Sequence, residues 1–217
     1  MKIDLHCHTK YSKDAISSLD EIFNQAQKKG LNGIAITDHD NNDGWNDAII
    51  AAKKYNMEVV LGEEIKSSNG DILGLFLNKK INMKGENPEK IITEIHAQNG
   101  IAIIPHPFDF NNPFKNIENY LTIVDGIEVF NARRIFSKDN DKAKKLSEKY
   151  PHLIITAGSD NHICKSIGYA YIESPSNNLE DFKKDLLNKN IKWFGKKAPS
   201  LYLLTPMFKK IKNAISR

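Results

Sequence analysis

The sequence predicts an α/β fold, a compact or distorted (β/α) barrel of about seven strand–helix units. Three observations predict it. Short apolar runs alternate with amphipathic segments along most of the chain. His6, His8, His39, His106 and His162 each follow such a run, with carboxylates close by. The 217 residues, 40% hydrophobic and 27% charged, suffice for one sizeable core. Barrels that gather imidazoles and carboxylates at one rim of their strands usually do metal chemistry there.

The elements follow in order. Lys2–Leu5 is the first expected strand. Ser18 or Asp20 caps a helix to about Lys29, which Gly30 stops. Gly33–Thr37 is the second strand, Trp45–Tyr55 the next helix, and Glu58–Leu61 a strand ending at Gly62-Glu63-Glu64. Ile72–Leu77, after Gly70-Asp71, extends the sheet. Pro88 suits the first turn of a helix through Gln98, ended by Asn99-Gly100. Ile101–Ile104 delivers His106, and Ile127–Phe130 delivers Asn131 and Arg133. Lys138–Tyr150 is helical, Leu153–Thr156 leads to Asp160 and His162, and Leu179–Leu187 is the last helix. No repeat, linker or low-complexity segment interrupts this order, so one domain is expected over 1–217. It ends in a basic helical tail, about 200–217, carrying Lys209, Lys210, Lys212 and Arg217; such a tail reads as a solvated helix.

The composition excludes several classes. A net charge of +4 is too small to argue for nucleic-acid binding on its own. Cys7 and Cys164 make no disulfide framework and suit a reducing compartment. Asp4 and His6 interrupt the first apolar run, so it does not read as a signal peptide. No stretch has the apolar length to cross a bilayer, so the expected location is cytoplasmic, with no membrane partner. A Ser-His-Asp triad, a Gly-rich phosphate loop and a Cys-x-x-Cys pair are all missing from the motifs.

Side chains alternate along a strand, so His6 and His8 share one face and reach one metal ion, with Cys7 buried behind them. Asp160 and His162 repeat that spacing. With Asp38-His39-Asp40, Glu63-Glu64 and Pro105-His106-Pro107 at successive strand ends, the histidines are ordered rather than scattered, which points to metal binding.

The motifs Asp4-Leu5-His6-Cys7-His8-Thr9, Ser12-Lys13-Asp14-Ala15, Ile36-Thr37-Asp38-His39-Asp40, Gly62-Glu63-Glu64-Ile65, Pro105-His106-Pro107 and Gly158-Ser159-Asp160-Asn161-His162 resemble, in order, those of the PHP (polymerase and histidinol phosphatase) superfamily. The resemblance runs from residue 4 to about 172. It implies a distorted (β/α)7 barrel with two or three divalent ions at the C-terminal rim of the strands, and phosphoester hydrolysis by a metal-activated hydroxide. Carried over motif by motif, His6, His8, Glu64 and Asp160 would hold one ion, and Asp14, His39 and His162 a second. Glu64, in the Glu position of the family's Gly-x-Glu motif, would bridge to a third ion that also takes His106. Many relatives carry a histidine ligand where this chain has Asp71. Asp71 can bind a hard cation or only cap a turn. Histidine-rich ligation suits Zn²⁺, Fe²⁺ or Mn²⁺, and the carboxylates pull towards Mn²⁺ or Fe²⁺.

Other residues take supporting roles in this reading. Arg133 follows a strand and can fork onto a substrate phosphate, with Asn131 orienting it. Asp38 and Asp40 flank His39 and can set its tautomer, and Asp40 can protonate a leaving group. His96, inside a helix, and His152, before a strand, read as structural. The expected partner is a small phosphorylated substrate, a phosphomonoester or nucleotide. An exonuclease acting on nucleic-acid ends is less favoured, because aromatic and basic residues do not interleave around the motifs. Two further alternatives are an amidohydrolase-type enzyme, which would need a late bridging lysine, and a non-catalytic metal-stabilised module, which would have lost ligands.

Overall fold

The site is positioned by one continuous sheet that curls until its first and seventh strands meet. A computed structural model describes residues 1–204; the tail with Lys209, Lys210, Lys212 and Arg217 lies outside the described residues. The elements are β1 Lys2–Cys7, α1 Leu19–Lys28, β2 Gly33–Ile36, α2 Trp45–Tyr55, β3 Glu58–Lys66, β4 Asp71–Leu75, α3 Pro88–Ala97, β5 Ile101–Ile104, β6 Gly126–Asn131, α4 Ser137–Lys149, β7 Ile154–Gly158, β8 Ala170–Glu173, α5 Leu179–Leu187 and β9 Lys192–Gly195. The strand order is β7-β6-β5-β4-β3-β2-β1-β8-β9. Asp160 N–H donates to the His6 carbonyl at 2.8 Å and His8 N–H to the Asn161 carbonyl at 3.2 Å, which draws the end of β7 onto β1. The result is a nearly closed barrel.

Local chemistry sets the helix ends. Ser18 caps α1, its hydroxyl accepting from Glu21 N–H while the Glu21 carboxylate reaches back to Ser18. Asn87 caps α3 with Pro88 in its first turn, and Asn178 caps α5. One apolar cluster packs α1, α2 and α3 onto the sheet through residues such as Phe23, Ile34, Ile91 and Ile104. A second joins Ile3, Leu5, Val60, Leu75 and Ile103 to Phe182 and Leu186 of α5. Both faces of the sheet are therefore dry, as a barrel requires.

Three features differ from the sequence expectation. Strand β3 continues past Leu61 to Lys66, because it pairs antiparallel with β4 from Gly62↔Leu75 to Lys66↔Asp71. Glu64 thus sits within a strand rather than beyond its end. The β4–β5 pair is also antiparallel, as are β1–β8 and β8–β9, so the sheet is mixed. Strands β8 and β9 were not expected; β9 is mostly exposed and carries little apolar signal. Among the described residues there are five α-helices, and short 3₁₀ turns replace helices between β5 and β6 and between β7 and β8.

Two irregularities aim side chains at the rim. The β1–β2 register shifts between Asp4 and Cys7, and the β6–β7 register between Glu128 and Phe130. A bulge flips the alternation of side chains. Leu5 accordingly joins the inner cluster and Cys7 the helix-facing one, although they are two residues apart. Gly158 completes this geometry: a Cβ there would lie 2.3 Å from His6 Cβ and 2.7 Å from Glu128 Oε1. Gly158→Ala is therefore expected to cost about 1–3 kcal/mol of overpacking, read as a lower urea midpoint. An unchanged midpoint would contradict the packing described.

Candidate metal centre

Glu64 is the hub. Its Oε2 faces His39 Nδ1 at 2.9 Å, His8 Nε2 at 3.2 Å and His6 Nε2 at 3.5 Å. Its Oε1 meets His106 Nε2 at 3.0 Å. Asp160 Oδ1 lies 3.4 Å from His8 Nε2 and 3.9 Å from His6 Nε2. Asp14 reaches His162 Nε2 at 3.1 Å and His39 Nε2 at 3.5 Å. Each of the groups His6/His8/Glu64, His6/His106/Asp160, His8/His39/His162 and Glu64/Asp71/His106 offers ligand atoms within 4.8 Å of one another. His6, His8, Glu64, Asp160 and His162 are buried, whereas His39 and Asp14 are about a quarter exposed (26% and 27%) and form the open side.

The ring tautomers follow from their outer partners. His6 Nδ1 lies 3.1 Å from Glu128 Oε1, a carboxylate that only accepts, so Nδ1 carries the proton. His8 Nδ1 lies 3.2 Å from Ser12 Oγ, whose own hydrogen goes to Asp38 Oδ1 at 2.6 Å, so His8 Nδ1 also donates. His162 Nδ1 donates to the Asp160 carbonyl at 3.1 Å. The Nε2 atoms of all three rings therefore point inward. Two of them, on His6 and His8, stand only 3.1 Å apart. Glu64 Oε2, His162 Nε2 and Asp14 Oδ1 are buried without a hydrogen-bond partner. Inward nitrogens and carboxylate oxygens this close are held together by positive charge, from protons on the rings or from a cation among them. The donor set, imidazole nitrogens with carboxylate oxygens, fits divalent transition metals.

The titration of the groups carries the same message. Burial pushes the Glu64 carboxyl up, but the His39 and His6 rings prevail and hold it well below the usual range. Asp160 behaves alike, burial being overcome by His6, His8, Arg133 and Arg134. Burial pushes the His6 ring down, yet Glu128, Asp160 and Glu64 raise it well above its ordinary value. Burial, then His8 and Arg133, push His162 down to about 4, leaving it a neutral base. The pocket is anionic and draws positive charge to the point where its rings converge.

Not every sequence-predicted residue meets at that point. Asp71 approaches Glu64 and His106, and its carboxylate is held by Lys66 at 3.2 Å and by Asn112. Arg133 Nη1 lies 3.9 Å from Asp160 Oδ1. Asn131 is fully buried, and its amide donates to Glu128 at 2.9 Å and Asp160 at 3.2 Å, behind the ligands. Asp40, with φ of 48°, accepts from Lys66 N–H at 2.8 Å and pairs with Lys84 at 2.6 Å. Asp38 acts on Thr9 and Ser12, and through Ser12 on His8 rather than on His39. His96 binds Asp125 and His152 the Leu121 carbonyl, both away from the cluster.

Sequence reasoning assigned no role to Glu128 and Arg134. Glu128 orients His6 and also accepts from His106 N–H at 3.0 Å; its signal was an acid inside the apolar run Ile127–Phe130. Arg134, rather than Arg133, makes the close contact to Asp160, Nη2 to Oδ2 at 2.9 Å, and also pairs with Asp109. Asp4 is fully buried and accepts from Ser159 N–H at 2.9 Å and Gly168 N–H at 2.8 Å, tying β1 to the chain beyond β7.

Comparison with known proteins agrees with this architecture. The PHP domain family matches residues 4–206, and the chain belongs to that family. An uncharacterized protein of Methanocaldococcus jannaschii is 40% identical over 142 residues, 61% of this chain and 82% of that protein. Shorter matches reach a 5′-3′ exoribonuclease of Haemophilus influenzae (40% over 76 residues; 35% of this chain and 27% of that protein) and a protein named probable phosphatase in Caldicellulosiruptor bescii (51% over 39 residues; 18% and 16%). A crystallised two-domain protein of Bacteroides vulgatus, described as containing a predicted PHP-like metal-dependent phosphoesterase, shares the fold. Its TM-score is 0.76 at 17% identity, covering 96% of this chain and 69% of that one.

Removing an outer partner weakens a metal site about 10–100-fold. Glu128→Gln is therefore expected to loosen Mn²⁺ binding by that factor in a calorimetric titration, with far-UV circular dichroism unchanged. Unaltered affinity would contradict the role given to Glu128.

Proposed function

We propose that the protein is a metal-dependent phosphoesterase that hydrolyses a small phosphomonoester or nucleotide. One observation carries the reading: imidazole and carboxylate atoms, three of them without a hydrogen-bond partner, converge on an anionic rim whose open side is formed by His39 and Asp14. Membership of the PHP family supports it. In this reading His6, His8, Glu64 and Asp160 hold one divalent ion, and Asp14, His39 and His162 a second, with Zn²⁺, Mn²⁺ or Fe²⁺ as the candidates. Bound divalent ions supply charge neutralisation for the phosphoryl oxygens and a more acidic water.

The chain's own residues then take distinct tasks. Arg133, one-fifth exposed beside Asp160, orients the incoming phosphate, and the buried Arg134 holds Asp160 in place. Glu128 and Ser12 keep the Nε2 atoms of His6 and His8 turned inward. Asn131 spends its amide on two carboxylates and serves the ligands rather than the substrate. Asp40 is engaged by Lys84 and the Lys66 amide, so we give it a structural task in place of a proton transfer.

The test pairs elemental analysis of the purified protein with a phosphate-release screen under added Mn²⁺ or Zn²⁺. The screen spans phosphomonoesters, nucleotides and short oligonucleotides. The expected result is bound metal and phosphate release that a chelator abolishes and that His39→Ala lowers at least about a hundredfold. Bound metal with no release from any of these esters would favour a metal-stabilised module. Faster cleavage of oligonucleotides than of mononucleotides would favour an exonuclease, for which the match to the exoribonuclease is the specific support.

A further inference from the structure

The ligand clusters are not alike. In the clusters built on His6, His8, His39, His162, Asp14 and Glu64 Oε2, three inward atoms, Glu64 Oε2, His162 Nε2 and Asp14 Oδ1, have no hydrogen-bond partner. In the cluster Glu64/Asp71/His106 every ligand atom is already engaged. Glu64 Oε1 meets His106 Nε2 at 3.0 Å. Asp71 Oδ1 meets Lys66 Nζ at 3.2 Å, and Asp71 Oδ2 accepts from Asn112 Nδ2. Asn112 Oδ1 in turn accepts from Lys66 Nζ at 2.6 Å, closing a ring of ammonium, carboxylate and amide.

The β3–β4 hairpin builds this ring into the fold. Lys66 and Asp71 are directly paired across the two strands, and Lys66 lies two residues after Glu64, on the same face of β3. Lys66 thus brings a positive charge to the side of the rim where Asp71 and Glu64 concentrate negative charge. Asp71 is only 12% exposed, whereas Lys66 is 43% exposed and keeps one flank towards solvent. An ion entering between Asp71 and His106 would meet a cation already bonded to its carboxylate ligand, and the two would repel.

We infer that the Lys66 ammonium, clamped by Asn112 and Asp71, stands in for a third cation, so that this centre holds two ions rather than three. The inference rests on the metal-dependent reading above and concerns only the number of ions. With two of its three N–H donors spent on Asp71 and Asn112, Lys66 has one left for a phosphate oxygen approaching from the open side.

The experiment counts Mn²⁺ per chain by native mass spectrometry after reconstitution and desalting, with no activity readout. The expected counts are two for the wild type and for Lys66→Arg, which keeps the cation. Lys66→Met is expected to bind three, the third ion at least tenfold tighter than in the wild type. Lys66→Met combined with Asp71→Asn is expected to return to two. Lys66 is exposed enough for these variants to fold, which circular dichroism verifies. Three ions in the wild type, or two in Lys66→Met, would overturn this inference and leave the phosphoesterase reading standing. No ion in any of the four proteins would overturn both.

Discussion

The structure depends on one electrostatic constraint: three imidazole nitrogens, from His6, His8 and His39, face a single buried oxygen, Glu64 Oε2. Glu128 and Ser12 engage the Nδ1 atoms of His6 and His8, which turns their Nε2 atoms inward. Such an arrangement is held together by positive charge, on the rings or on a cation among them. The geometry therefore suits a cation at the point where these groups converge.

The surrounding fold keeps that constraint from relaxing. Register shifts in β1 and β6 turn His6 and Glu128 towards the same space. Gly158 leaves room for the His6 Cβ, and Asp4 ties β1, which carries His6, to the segment beyond β7 that carries Asp160. His106 and Asp160 both adopt positive φ, 30° and 50°. Residues with side chains hold that conformation only where neighbours enforce it, and such strain gathers at functional sites. The closed sheet and the second apolar cluster behind it supply the enforcement.

How much of this was legible in the sequence depended on the range of the interaction. Helices α2 and α5 and strand β5 have the bounds read from their patterns, because flanking Gly, Asn and apolar periodicity act locally. The direction of β4 was not legible: Gly70 and Asp71 announce a turn, but only pairing with β3 decides that the chain reverses. In the site, the His-x-His and Asp-x-His spacings were visible in the sequence, although His8 lies just beyond β1 and Asp160 and His162 just beyond β7. The carboxylate that orients His6 is 122 residues away, so Glu128 showed only as an acid in an apolar run. Asp38 and Asp40 misled for the opposite reason. They neighbour His39 in sequence, yet the turn at Asp40 directs them to Ser12, Thr9 and lysines instead.

The most direct test of the central claim is anomalous diffraction from crystals grown with Mn²⁺, recorded at the metal's absorption edge. The account predicts one peak among His6, His8, Glu64 and Asp160 and another among Asp14, His39 and His162. Density without peaks, with these rings hydrogen-bonded to Glu64, Asp160 and Asp14 in a closed network, would contradict it.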